Sequence, residues 1–217
     1  FILPLVALAF SPQAKAATTT TPSDVKVEHM VEIRNGGLLT INDTVTLLAN
    51  AGETIELTNY TIGYPYSYQS NLDYAFAYPS GDPNNRLDLA LDASMGQLGF
   101  AGTNVIFQQK TTITNPTSYK FTVVYVFSNS ITLIDTTHYN ASFLAYPTLT
   151  QTASQVNLTL VFPTGLNYTK SSYTAEGANF TRTTTGSTKH FSYIKNNLTE
   201  FSDNHGWFIL QKAGTTL

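Results

Sequence analysis

Val25, Val27, Val31 and Ile33 share one parity along the chain, with Lys26, Glu28, Glu32 and Arg34 on the other. That period of two is the mark of a strand with one face buried. Asn35-Gly36-Gly37 then predicts a turn, and Ile41, Val45 and Leu47 resume the inward parity while Thr40, Asn42, Thr44 and Thr46 face out. Together the two segments predict a hairpin. Thr54 to Thr58 reads as a further short strand. Phe121, Val123, Tyr125 and Phe127 against Thr122, Val124 and Val126 make Tyr119 to Phe127 the strongest strand, apolar on both faces and therefore central. Val156 to Phe162 and Trp207 to Leu210 are two more.

Between them, Tyr60, Tyr64, Tyr66, Tyr68, Tyr74 and Tyr78 fall in a segment punctuated by Gly63, Pro65 and Pro79, which predicts a loop or an irregular pair of strands. Leu87 to Gln97 fits a helix by Leu87, Leu91 and Met95, and a strand by Leu89 and Leu91. Short strands separated by turn signals, without alternating helices, predict an all-β, immunoglobulin-like antiparallel β-sandwich over residues 24–217. An extended segment, residues 1–23, precedes it.

That segment opens on an unbroken apolar run, Phe1, Ile2, Leu3, Pro4, Leu5, Val6, Ala7, Leu8, Ala9 and Phe10, followed by Ala14-Lys15-Ala16. An apolar run ending in Ala-x-Ala has the form of a secretory signal peptide, and it implies export. It is shorter than the roughly 20 residues a bilayer-spanning helix requires. Retention and cleavage of Phe1–Ala16 both remain open on the sequence. Thr18 to Ser23 reads as an extended linker.

Composition narrows the function. Charged residues are 12% of the chain, and its 34 Thr, 16 Ser and 17 Asn keep the surface wet instead. A net charge of −3 without basic runs excludes a nucleic-acid partner. The absence of cysteine excludes disulfides, thiolate metal sites and cysteine nucleophiles. His29, His138, His190 and His205 are scattered without metalloprotease spacing, and are expected at the surface or at strand ends. Asp82, Asp88 and Asp92, with Asn84 and Asn85, are the candidate calcium ligands, although the spacing of a calcium-binding loop is lacking. Ser94 lacks the first glycine of a nucleophile elbow, and no carboxylate pair, Glu53 and Glu56 included, is singled out for glycoside hydrolysis. The chain therefore reads as a non-enzyme without cofactor.

The modification signal is stronger. N-x-S/T sequons fall at Asn42, Asn59, Asn140, Asn157, Asn167, Asn179 and Asn197. Random placement gives about four, so position matters more than number: Asn42 and Thr44, like Asn157 and Thr159, lie on the polar side of their strands, where a covalent N-glycan needs to be. Tyr60, Tyr64, Tyr66 and Tyr68 are candidate surface contacts, their amphipathic rings suited to sugars or to a protein interface.

A Thr/Asn/Tyr-rich, cysteine-free β-domain with many sequons, a Thr-rich linker and a short apolar N-terminal run resembles the archaeal extracellular surface-filament subunits that assemble by donor-strand complementation. The resemblance implies a homopolymer in which Phe1, Ile2, Leu3, Leu5, Val6, Leu8 and Phe10 of one subunit enter the sandwich of the next. Cleavage after Ala16 would transfer that role to Val25–Ile33. The alternative is a monomeric glycosylated surface or S-layer-associated binding domain. His29 to Leu47 also resembles a β-domain of ribophorin-like proteins.

Overall fold

The computed structural model describes residues 17–34, 36–162, 165–171, 181–185, 188–203 and 205–212. In chain order the strands are β1 (Ala17–Thr19), β2 (Asp24–Ile33), β3 (Leu39–Leu48), β4 (Glu53–Pro65), β5 (Leu72–Pro79), β6 (Asp88–Ala93), β7 (Phe100–Thr114) and β8 (Ser118–Phe127). They continue as β9 (Ile131–Leu133), β10 (His138–Leu144), β11 (Thr148–Leu149), β12 (Ala153–Phe162), β13 (Leu166–Ser171), β14 (Thr181–Thr185), β15 (Thr188–Leu198) and β16 (His205–Lys212). The all-β sandwich predicted from the sequence is present. Among the described residues, no helix is long and apolar enough to cross a membrane.

The large layer is a seven-stranded sheet, ordered β14-β15-β12-β2-β3-β8-β5. Its pairings are antiparallel except the central one between β12 and β2, which is parallel. The predicted hairpin is the β2–β3 pair, Val25 facing Leu47 and Ile33 facing Leu39. β8 lies inside the sheet, as its two apolar faces require.

The opposing layer is divided in two. One sheet, β1-β4-β7-β6 with β11 added on β4, covers the β3/β8 half; the other, β13-β16-β10-β9, covers the β12/β15 half. Ring contacts show which faces meet: Tyr64 packs on Phe127 at 5.2 Å and Phe107 on Tyr119 at 4.7 Å in the first half. Phe208 packs on Phe162 at 4.9 Å in the second. Both small sheets thus cover the same face of the large sheet and leave its other face outward.

The structure decides two readings that the sequence leaves open and changes a third. Leu87–Gln97 contains the strand β6, because Leu89 and Leu91 pair with Val105 and Thr103. The expected Thr18–Ser23 linker is part of the domain: Thr18 and Thr19 run parallel to β4, Pro22 is buried, and the Ser23 amide donates to Leu48 O at 3.0 Å. The tyrosine-rich segment is the end of β4, a short 3-10 turn over Tyr66–Asn71, and β5.

Candidate functional site

β2 and β3 carry their only buried charged residues opposite one another on the inner face. His29 pairs in register with Asp43, and they are 1% and 2% exposed. Period two places both side chains inward with the valines and leucines, so neither has solvent as a partner. His29 Nδ1 bonds to Asp43 Oδ1, and Nε2 donates to the Leu144 carbonyl at 2.9 Å. With both ring nitrogens facing acceptors, the geometry fits a doubly protonated imidazolium. Burial pulls the His29 pKa down; the charge and hydrogen bond of Asp43 and the Leu144 carbonyl outweigh it, leaving a net rise. His29 thus overturns the surface expectation: its inward parity was visible beside Val27 and Val31. His138 and His205 do begin strands, beside Asp135 and Asp203.

Leu144 ends β10, and the next residues lead into β11 on the other small sheet, so this ion pair sits where the two small sheets meet. Around it the interior holds several hydroxyls. Tyr64, Tyr125 and Thr103 present buried oxygens without a hydrogen-bond partner. Burial raises the Tyr125 pKa well above its usual value; the Thr103 hydroxyl, close by but outside regular hydrogen-bond geometry, lowers it in part, and the Asp43 charge adds to the rise. Tyr64 is pushed up to about 12 by burial, then by Asp92. A carboxylate fixed by a bonded imidazolium, inside a closed core, has no access to substrate. Its role is to pin β2, β3 and β10 together.

The expected tyrosine contacts divide. Tyr60 and Tyr64 are buried, because β4 turns them against Phe121, Tyr125 and Phe127, so neither is available as a surface contact. Tyr68 packs against Phe127 and is half-buried, while Tyr66 is 62% exposed. Further along, Tyr74, Phe76 and Tyr78 form an outward row on β5, with ring centroids 5.4 and 6.1 Å apart and the Arg86 guanidinium 3.8 Å above Phe76.

The sequons show a shared geometry. Their middle residues Asp43, Tyr60, Ala141, Leu158 and Leu198 are all buried. In an extended chain this directs the flanking Asn and Ser/Thr to the opposite side together, as in β3, β10 and β12; Asn59 follows a register shift in β4, and Asn197 has a positive φ of 53° near the end of β15. Asn59, Asn167 and Asn197 are exposed, and Asn42, Asn140 and Asn157 are partly so. Asn140 and Asn157 each have a buried Oδ1 without a partner. Asn157 also borders a shallow groove of about 480 Å³, lined with Thr159, Thr181, Ser192 and Ile194. Asn179 and the expected donor residues Phe1, Ile2, Leu3, Leu5, Val6, Leu8 and Phe10 lie outside the described residues.

Among the described residues, no three His, Asp or Glu side chains converge on a position that could hold a metal ion, so Asp82, Asp88 and Asp92 do not form a calcium site. Asp92 instead accepts from Gln69. Glu53 accepts from Ser23 and Glu56 pairs with Lys110 at 2.8 Å, on separate sides of β4.

The class that the fold defines is an all-β sandwich. No family model and no curated protein matches the chain. Among solved structures, it is similar to an M1 zinc metallopeptidase from Deinococcus radiodurans, at 11% identity and a TM-score of 0.47 over 88% of this chain and 42% of that one. It is also similar to a putative protease from Parabacteroides distasonis, at 10% identity and 0.41 over 88% and 41%. Yeast LTA4 hydrolase is similar at 8% and 0.44, over 96% and 33%. This chain spans less than half the length of each. Likenesses this distant assign neither a family nor an activity to it.

Proposed function

We infer that the chain is a glycan-bearing structural domain of an extracellular surface assembly and not an enzyme. One observation carries this reading: the described sequons in β3, β4, β10, β12 and β15 place their middle residue in the core, with Asn59 and Asn197 exposed and Asn42, Asn140 and Asn157 partly so. A strand that alternates core residues with solvated ones can carry a bulky glycan on its polar side without disturbing the inner face. The interior titratable pair supports the non-catalytic side of the reading, since His29 and Asp43 are engaged with each other and with Leu144.

In its filament form, Phe1–Phe10 of one copy adds as a strand to the next. The inner faces of the described strands are covered, so addition would be at a sheet edge, where unpaired backbone groups are available. The β9 edge, beside exposed Leu133 and Ile134, is an apolar acceptor among the described edges. Such head-to-tail addition is open-ended and generates fibres. A second reading, a monomeric surface-layer-associated binding module, is favoured by the outward aromatic row on β5.

Electron microscopy of cell-surface material, with gold-labelled antibody against this chain, separates them. Labelled fibres that are lost when residues 1–10 are deleted, with export supplied by an independent signal, uphold the filament form. Label dispersed over the cell surface selects the monomeric module. An intracellular protein with a measurable turnover reaction overturns both.

A further inference from the structure

We propose that the aromatic row on β5 is a stacking platform for the saccharide carried at Asn42. This inference rests on the glycan-bearing reading and deepens it. Asn42 pairs with Val124 of β8, and Val124 pairs with Phe76 of β5, so the three side chains form one line across the outer face. Thr44, Thr122 and Tyr78 form the next line, and Thr40, Val126 and Tyr74 the one after. Strands lie about 4.8 Å apart, so Asn42 and Phe76, two strands apart, are separated by about 10 Å. The first sugars attached to Asn42 can reach the rings without leaving the sheet surface.

The chemistry of the two sides agrees. A pyranose ring has an apolar face of C–H bonds and a rim of hydroxyls, and an aromatic face accepts the former while solvent retains the latter. Tyr74 is 57% exposed, so its ring is available. The row is held in place: Tyr74, Phe76 and Tyr78 contact one another, and Arg86 covers one face of Phe76, which leaves Tyr74 as the most open ring. Between Asn42 and the rings lies β8, whose Thr122 and Val124 are buried and close-packed. On the opposite side of Asn42, β2 presents Met30, flanked by Glu28 and Glu32, and none of the three offers a flat ring. An edge strand bearing three outward aromatic rings is an aggregation hazard when bare, and a tethered saccharide would cover it.

The test uses the native glycosylated protein, its Asn42→Gln variant, a Tyr74→Leu/Phe76→Leu variant that keeps apolar bulk but loses the rings, and the triple variant. Glycopeptide masses first establish occupancy at each sequon. The expected result is that removing the Asn42 saccharide lowers the Tm by about 2–4 °C when the rings are present and leaves it unchanged when they are replaced. Ring protons of the Asn42-linked sugars should also shift upfield in the NMR spectrum of the parent protein, a readout independent of whether the leucine variant folds. Equal Tm losses in both backgrounds, or sugar shifts identical to those of the free saccharide, overturn the platform and leave the glycan-bearing reading intact. An unmodified Asn42 beside occupied Asn59 or Asn157 also overturns the platform alone, whereas bare asparagines throughout overturn both.

Discussion

Replacing His29 with leucine should be among the most damaging single substitutions in this domain. The change removes the imidazolium that bonds Asp43 and Leu144, and leaves a carboxylate 2% exposed in an apolar core. Breaking a buried pair by removing one partner costs about 3–5 kcal/mol. For a domain of this length each kcal/mol shifts the Tm by about 2–4 °C, so a fall of about 6–20 °C is expected. The double variant His29→Leu/Asp43→Val removes both charges and should recover most of that loss, because apolar replacements of buried pairs are near neutral. Thermal unfolding followed by circular dichroism, on all four members of the cycle, measures the coupling. The pH dependence has a definite sign. The folded pKa of His29 is raised above its usual value of about 6.5, so its contribution is complete below about pH 6.5 and is lost as pH rises through the folded value. Parent stability should therefore decline above about pH 6.5, and the double variant should lack that decline. A His29→Leu variant within about 1 kcal/mol of the parent, or a double variant as unstable as the sum of the singles, would refute the pair as the pin between β2, β3 and β10.

Tyr125→Phe removes a buried hydroxyl without a partner and should be neutral or stabilising by about 1 kcal/mol in urea unfolding, whereas Tyr125→Ala should cost about 3–5 kcal/mol. Gly63 and Gly102 face each other across β4 and β7, where Met95 and the backbone of Ala93 and Ala101 leave no space for a Cβ. Alanine at either should destabilise by about 1–3 kcal/mol, and Met95→Ala in the same chain should recover part of it. Above about pH 10 the unfolded tyrosines ionise first, because burial holds Tyr64 and Tyr68 up to about 12, so stability should fall again in that range in a pH-dependent melting series.

Period-two patterning made much of the large sheet legible. Val25 to Ile33 and Ile41 to Leu47 announce the β2–β3 hairpin through their alternation, and Tyr119–Phe127 announces an interior strand through apolar residues on both faces. The same alternation puts His29 and Asp43 inward, but polar identity masks that signal when hydrophobicity alone is followed. The division of the opposing layer is a long-range property. It depends on β10 and β11 pairing with strands distant in sequence, which a local pattern does not encode. Tyr60 and Tyr64 were obscured by Gly63 and Pro65: these residues suggest a loop, yet Gly63 is where Met95 crosses the strand, and Pro65 is at the strand's end. The outward direction of the Asn42 and Asn157 sequons was readable because each is embedded in a clear alternation.

Site-resolved glycopeptide mass spectrometry on the protein isolated from its native cells tests the central reading most directly. The account predicts saccharide at sequons on the outward side of strands, with Asn42, Asn59 and Asn157 among those occupied. Peptides covering the described sequons that all have the mass of the bare polypeptide would contradict it.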